Sequence, residues 1–338
     1  MEPMDYQTGH LTEWINKQTG LQHFQLQAMT GDASFRRYYR LHYPGGTWVV
    51  ADASVEKERC QPFVAIAKAL RNLGLQAPEI IAADLQQGFM LLTDFGEATY
   101  LKSLTHENAD LLYTLALGAL SKLQTCRDVS VPPFTRELMW QEITWYQEWF
   151  LQRYLQLSVD PWQASLHDCY QRIIDCAALQ PQVFMHRDYH SANLMLIPAI
   201  TAPAVGILDF QDAFIGPVTY DVVSLLRDCY VDWPEAQVQT WAINYWYQLR
   251  AMKVLTIDQA EFLRWFDWMG VERHLKALFT FSRKHVRDNT SHYLQYVPRT
   301  LNYLLDVSSR YSELTTLRQF IAEIVVPRFL EVKQPCVV

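Results

Sequence analysis

Apolar and polar positions alternate along the first hundred residues and switch to a helical period near Asn108, so strands are expected early and helices late. Leu11, Trp14 and Ile15 fall at helical spacing, which predicts a short packing helix over residues 11–18. Phe24 to Ala28 alternates as a strand does, and the segment from Gly31 to Leu41 reads as a hairpin running into another strand. Tyr43-Pro44-Gly45-Gly46 is a turn signal, and Thr47 to Ala53 is a third strand. A helix is expected over 55–73, with Val64, Ile66, Ala67 and Leu70 on its apolar side, followed by strands over 78–83 and 88–92. Leu111, Leu112, Leu115, Ala119 and Leu123 then line one helical face, and 136–154 forms a second long helical run. Beyond Trp233, helices rich in Trp and Phe run to Leu330 with no further polar constellation evident.

The polar residues with the clearest pattern lie between three short apolar runs, Val183 to Met185, Leu194 to Leu196 and Val205 to Leu208. That arrangement reads as strand, loop, strand, turn, strand, with Asp188, Asn193 and Asp209 at the strand ends. Phosphoryl transfer needs a carboxylate to orient an attacking hydroxyl and accept its proton, and oxygen ligands to hold Mg2+ against a triphosphate. Asp and Asn also cap ordinary turns. The full run His186-Arg187-Asp188-Tyr189-His190-Ser191-Ala192-Asn193, with Asp209-Phe210 following a later apolar strand, is far harder to obtain by chance. It resembles the catalytic and metal loops of the kinase-like phosphotransferases. The resemblance implies Asp188 as the base, Asn193 and Asp209 as Mg2+ ligands, and His186 as the brace behind the loop. Gln211 departs from the Gly of protein kinases, which disfavours a flipping activation segment.

Further expectations follow from the order of elements in that fold. Backbone N–H groups around Gly31 and Ser34 would cover the phosphates of ATP. The third strand carries Asp52 near the position where kinases have a phosphate-gripping Lys, and a carboxylate beside a triphosphate must be paired or face away. Arg36 and Arg40, which share a face by period-2 alternation, and Lys57 are the candidate replacements. Glu56 or Glu58 could orient a phosphate-binding cation, though acidic residues in a first turn usually just complement the helix dipole. Backbone groups from Leu92 to Phe95, Asp94 among them, would meet the adenine edge. Phe214 to Val218 reads as a turn, and Asp221 at the start of the next helix is expected to tie the catalytic loop by accepting from its backbone N–H groups. Glu142, Trp145, His190 and Asp212 are the candidate substrate contacts.

Half of the 338 residues are hydrophobic and only 12 are Gly, which excludes a disordered chain. The six cysteines are scattered without a C-x-x-C pair, which points to a reducing compartment and no structural zinc. A formal net charge of -7 argues against a nucleic-acid partner. No signal-like N-terminus and no long apolar run is evident, so a cytoplasmic protein away from the membrane is expected.

Across nearly its whole length the chain resembles the aminoglycoside phosphotransferase family. The residues carrying this are Gly31 to Arg40, Val49 to Ala53, His186 to Met195, Asp209 to Ala213 and Gly216 to Asp228. They look closest to the branch that phosphorylates the anomeric hydroxyl of N-acetylmuramate and N-acetylglucosamine in cell-wall sugar recycling. That branch also looks to lack the third-strand Lys. The resemblance implies an α+β, bilobal, protein-kinase-like fold, with a small β-rich nucleotide-binding lobe over 1–95 and a large, mainly helical catalytic and substrate lobe over 96–338. It implies ATP and Mg2+ as cofactors and a small amino sugar as substrate. Kinases of another small hydroxyl compound, such as an aminoglycoside, choline or a homoserine-like acceptor, and a non-catalytic nucleotide-binding scaffold remain as alternatives. The oligomeric state leaves no mark on the sequence.

Overall fold

A computed structural model describes residues 6–29, 36–198 and 203–333, and by its contacts the chain divides into two units. The first comprises Met1–Ser103, Cys126–Ser130 and Asn193–Asp212. Its core is an antiparallel sheet of five strands, β1 (Gln25–Ala28), β2 (Arg37–Tyr43), β3 (Gly46–Asp52), β4 (Ile80–Asp84) and β5 (Phe89–Thr93), in the order β1-β2-β3-β5-β4. Register pairs Tyr39 with Val50 and Val50 with Leu91, so these side chains share one face. Leu11, Trp14 and Ile15 of helix α1 (Tyr6–Thr19) bury against that face, joining Leu41, Val50, Phe89 and Leu91 in one apolar cluster. The opposite face presents Tyr38 and Arg40 in register with Ala51 and Val49.

The helix expected over 55–73 divides. Residues Ser54–Arg59 form a 3-10 segment with a kink at Glu56, and α2 (Cys60–Asn72) begins only afterwards. Two features account for the break: the Asp52 carboxylate accepts from Ser54 N at 3.0 Å, and Pro62 suits a helical first turn but no interior. The turn between β4 and β5 closes on the end of β3, where Ala53 N donates to Gly88 O at 2.8 Å. Gly88 has φ +82°, and a Cβ there would lie 2.8 Å from the Ala53 carbonyl oxygen. Gly88→Ala is therefore expected to lower stability by about 1–3 kcal/mol, read as an earlier urea midpoint; an unchanged midpoint would mean that the turn relaxes freely.

A hairpin of β7 (Leu194–Ile197) and β8 (Ala204–Ile207) completes the first unit. It is stitched to the rest of that unit by Leu196 N donating to Ala98 O and Ile207 N to Gln76 O, at 2.7 and 2.8 Å. The second unit, Leu104–Thr125, Val131–Ala192 and Ala213–Val338, is mainly helical. Its elements include α4 (Ala109–Leu123), α5 (Arg136–Trp145), α6 (Gln163–Ala178), α7 (Tyr220–Leu226), α8 (Glu235–Ala251), α9 (Gln259–Asp288) and α10 (Val297–Ser309); the short α3 (Tyr100–Ser103) belongs to the first unit. The run expected over 136–154 is α5 continued by a π-helical segment, Tyr146–Tyr154. Phe214 to Val218 is not a turn: Phe214–Pro217 forms β9, paired antiparallel with β6 (Gln182–Met185). Gly216 and Pro217 read as turn residues, yet Gly216 backs directly onto the Met185 side chain, where a Cβ would meet its sulfur at 2.6 Å.

Helix α9 is the centre of this unit and packs against α5, α6, α7, α8 and α10. From Trp265 to Phe279 every residue is buried, so the helix is enclosed on all sides. Its charged residues in that span, Asp267, Glu272, Arg273 and Lys276, must therefore find partners or ligands. Among the described residues no helix is long and apolar enough to cross a membrane.

Candidate active site

In the second unit, β6 delivers the chain into the loop His186 to Ala192. His186 is fully buried, and Arg187 takes φ +79°, a left-handed conformation costly for a long side chain. Asp221, in the first turn of α7, compensates by accepting from His186 N at 2.7 Å and from Arg187 N at 2.9 Å. Burial pushes the Asp221 carboxyl up to about 7 against these two N–H bonds. Behind the loop, Tyr189 OH donates to Ala116 O at 2.9 Å, and Ser191 N to Asp228 at 2.9 Å. The loop is thus pinned from α4, from α7 and from the residues just after α7. Asp188 N donates to His186 Nδ1 at 3.3 Å, so the His ring touches the backbone of Asp188.

Two cations that the sequence pattern did not flag meet Asp188. Lys276 Nζ lies 2.6 Å, and Arg273 Nη2 3.5 Å, from the same oxygen, Oδ1. Burial pushes the Asp188 carboxyl up, but the charges of Lys276, Arg273 and Arg187 outweigh it and hold the group well below the usual carboxylate range. His190 is itself pushed down to about 3 by burial, which leaves its imidazole neutral, edge-on to Tyr230 at 5.2 Å. The expectation of no polar constellation beyond Trp233 is therefore overturned. The signal available was four charges, Asp267, Glu272, Arg273 and Lys276, within a mostly apolar helical stretch.

Of the candidate substrate contacts, Glu142 is buried, and its Oε1 accepts from Arg187 Nη2 at 2.7 Å. Glu272, buried beside Glu142, is pushed well above the usual range by burial and by that neighbouring carboxylate. Trp145 is half-buried with its ring 5.5 Å from Phe279. Asp212 is exposed in the first unit, 3.9 Å from Arg59.

In the first unit, the β7–β8 hairpin brings Asn193 and Asp209 together. Leu208 N donates to Asn193 O at 3.0 Å, and Asn193 Nδ2 lies 3.2 Å from Asp209 Oδ2. Asp209 adopts φ +64°, and Gln211 Nε2 donates to its other oxygen at 2.7 Å. The adjacent Phe210 is buried and stacked on Phe63 of α2 at 4.9 Å, which fixes the carboxylate's backbone. Asn193 thus turns its amide nitrogen to Asp209; its amide oxygen and the Asp209 carboxylate are hard oxygen donors of the kind that would hold Mg2+. Among the described residues no group of three or more His, Cys, Asp or Glu is arranged to hold a metal.

The three candidate phosphate cations differ in what surrounds them. Arg40 is forked onto Asp94, Nε to Oδ2 at 2.7 Å, and also reaches Glu97 and the Gly96 carbonyl. Arg40 and Asp94 thus occupy each other, and Asp94 is not open to a base edge through its carboxylate. Lys57 is exposed on the 3-10 segment. Arg36 is buried with its guanidinium 5.9 Å from the Phe63 ring. Beside it, burial pushes the Tyr38 hydroxyl up, Arg36 opposes this, and the Asp209 carboxylate adds to it, so Arg36, Tyr38 and Asp209 are neighbours. Asp52 shares the α1 face and pairs with Arg37 at 3.2 Å, away from the face that carries Tyr38. Leu92 is buried within β5, bonded between β3 and β4. Gly31 and Ser34 lie outside the described residues.

Similarity to known proteins matches this picture. An N-acetylmuramate/N-acetylglucosamine kinase of Pseudomonas putida is 39% identical over 337 residues, covering 96% of this chain and 98% of the relative. A protein of the same name from Neisseria meningitidis serogroup B is 37% identical, with 95% and 97% covered. Among solved structures, a choline kinase of Streptococcus pneumoniae superposes with a TM-score of 0.64 at 12% identity, over 89% of this chain and 100% of that one. The GDP complex of an aminoglycoside 2'-phosphotransferase superposes with a TM-score of 0.63 at 17% identity, over 87% and 98%. These likenesses show an α+β fold of the kinase-like type. Residues 25–255 match the family described as the phosphotransferase enzyme family, and the chain belongs to it.

Proposed function

We propose that the protein is an ATP-dependent sugar kinase that phosphorylates the anomeric C1 hydroxyl of N-acetylmuramate and N-acetylglucosamine, giving the sugar 1-phosphate. The observation that carries this reading is the likeness, over nearly all of both chains, to relatives bearing that name. The presence of Asp188, Asn193 and Asp209 supports it. Asp188 orients the hydroxyl and takes its proton, and His186 with Asp221 keeps the loop in register. Asn193 and Asp209 hold Mg2+, which when bound neutralises the charge of the triphosphate. Arg36 grips phosphate in place of the third-strand Lys, since Arg40 is taken by Asp94. The backbone near Leu92 meets the adenine.

In this reading residues 1–95 serve the nucleotide and 96–338 the catalysis and the sugar. Positioning and charge neutralisation supply most of the acceleration, because a loose transition state asks for little covalent help. The reaction belongs to the cytoplasm, where ATP and recycled wall sugars meet, and the acidic net charge agrees with small-molecule rather than nucleic-acid partners. ADP release measured with N-acetylmuramate, N-acetylglucosamine and kanamycin offered separately tests it. Turnover with either sugar is expected. Turnover with kanamycin alone would move the protein to antibiotic phosphorylation, and ATP binding without turnover of any acceptor would favour a scaffold.

A further inference from the structure

Lys276 stands mid-way along α9, in a span where every residue is buried, with its ammonium 2.6 Å from Asp188 Oδ1. A lysine in such a place is rarely retained for packing, since desolvating an ammonium is costly unless a charge answers it. Arg273, one turn away on the same helix, reaches the same Oδ1 at 3.5 Å but has a second anchor, donating to Ser224 Oγ at 3.1 Å. Both cations therefore converge on one oxygen of the carboxylate. The other groups that face Asp188 are Arg187 and His190 from its own loop and Asp221 from α7. The Glu142 carboxylate of α5 also acts on Lys276 and is already paired with Arg187 at 2.7 Å.

We propose that Lys276 is a positioning residue of the phosphotransfer, its ammonium fixing Oδ1 of Asp188 so that Oδ2 is turned to the acceptor hydroxyl. The inference rests on the kinase reading above. In the step itself, the sugar oxygen bonds to the γ-phosphorus as the bond from phosphorus to the β-bridging oxygen breaks. ADP leaves with that electron pair, and the hydroxyl proton passes to Asp188 and then to water. A fixed carboxylate meets the hydroxyl in one orientation, which affects the rate of the step more than the binding of the sugar.

The test compares Lys276→Met and Lys276→Arg with the wild type in the full chain, reading kcat, KM for the sugar, and kcat/KM against pH. Lys276→Met is expected to lower kcat by about 10²-fold with KM little changed. Without the ammonium the Asp188 carboxyl titrates higher, so the acid limb of the profile moves up by about 1–3 pH units. Lys276→Arg keeps the charge and is expected to return the limb to its wild-type place. A folded Lys276→Met protein with the wild-type limb and kcat would overturn the proposal; should that variant not fold, Lys276→Gln gives the same readings. If the wild type phosphorylates neither sugar, the kinase reading fails by itself. The carboxyl carbon-13 titration of Asp188, assigned by its loss in Asp188→Asn, then still decides the role of Lys276: an upward shift in Lys276→Met supports it, and no shift overturns it.

Discussion

Asp188→Asn is expected to lower kcat by about 10²–10⁴-fold while the protein remains folded, as read by steady-state kinetics beside a melting curve. The Asn side chain keeps the shape of the base and removes its capacity to take a proton. It also removes the negative charge opposite Lys276 and Arg273. Breaking a buried pair costs roughly 3–5 kcal/mol, and water reaching the Asp188 side chain, 30% exposed, reduces that figure. A lower Tm should therefore accompany the lost activity. Because the folded Asp188 carboxyl titrates well below the usual range, its contribution to stability is present above a pH of about 4 and is lost as pH falls through the folded value. The Tm gap between wild type and variant should close in that acid window. Activity like the wild type in folded Asp188→Asn would remove Asp188 from the role of base.

Asp209→Asn is the second large effect, with an expected loss of about 10²–10³-fold in turnover that saturating Mg2+ does not restore. Its backbone is a favourable place for the substitution. Asp209 sits at φ +64°, a region that Asn tolerates at least as well as Asp, so the chain need not move. What changes is one acceptor oxygen and a full charge beside Asn193, at 3.2 Å, and Gln211, at 2.7 Å. Turnover measured across a Mg2+ titration checks this. An unaltered Mg2+ dependence would take Asp209 out of the metal site.

The parts of the site legible in the sequence are those set by local spacing. Asp188 and Asn193 lie on one loop, Asp209 follows a short strand, and hairpin geometry alone brings Asn193 and Asp209 together. Period-2 alternation likewise made the sheet readable and put Arg36 and Arg40 on one face. It could not reveal which arginine was already engaged, because Asp94 lies 54 residues from Arg40 in sequence and takes its guanidinium only through the fold. The same limit hid Lys276, 88 residues from Asp188, on a helix whose aromatic density drew attention to packing. β9 is not legible because Gly216 and Pro217 are turn formers in isolation, whereas the close approach of Met185 makes a Gly necessary within that strand. For Glu142 and Trp145 the sequence could not show their neighbours, Arg187 and Phe279, which lie far away in the chain.

The central claim is that this chain transfers a phosphoryl group to a sugar's anomeric oxygen, and phosphorus-31 NMR of the product tests it most directly. With ATP, Mg2+ and N-acetylglucosamine or N-acetylmuramate, a new monoester signal coupled to the anomeric proton is predicted. A monoester coupled to any other sugar proton, or no monoester at all while the active protein is shown to bind ATP, would contradict it.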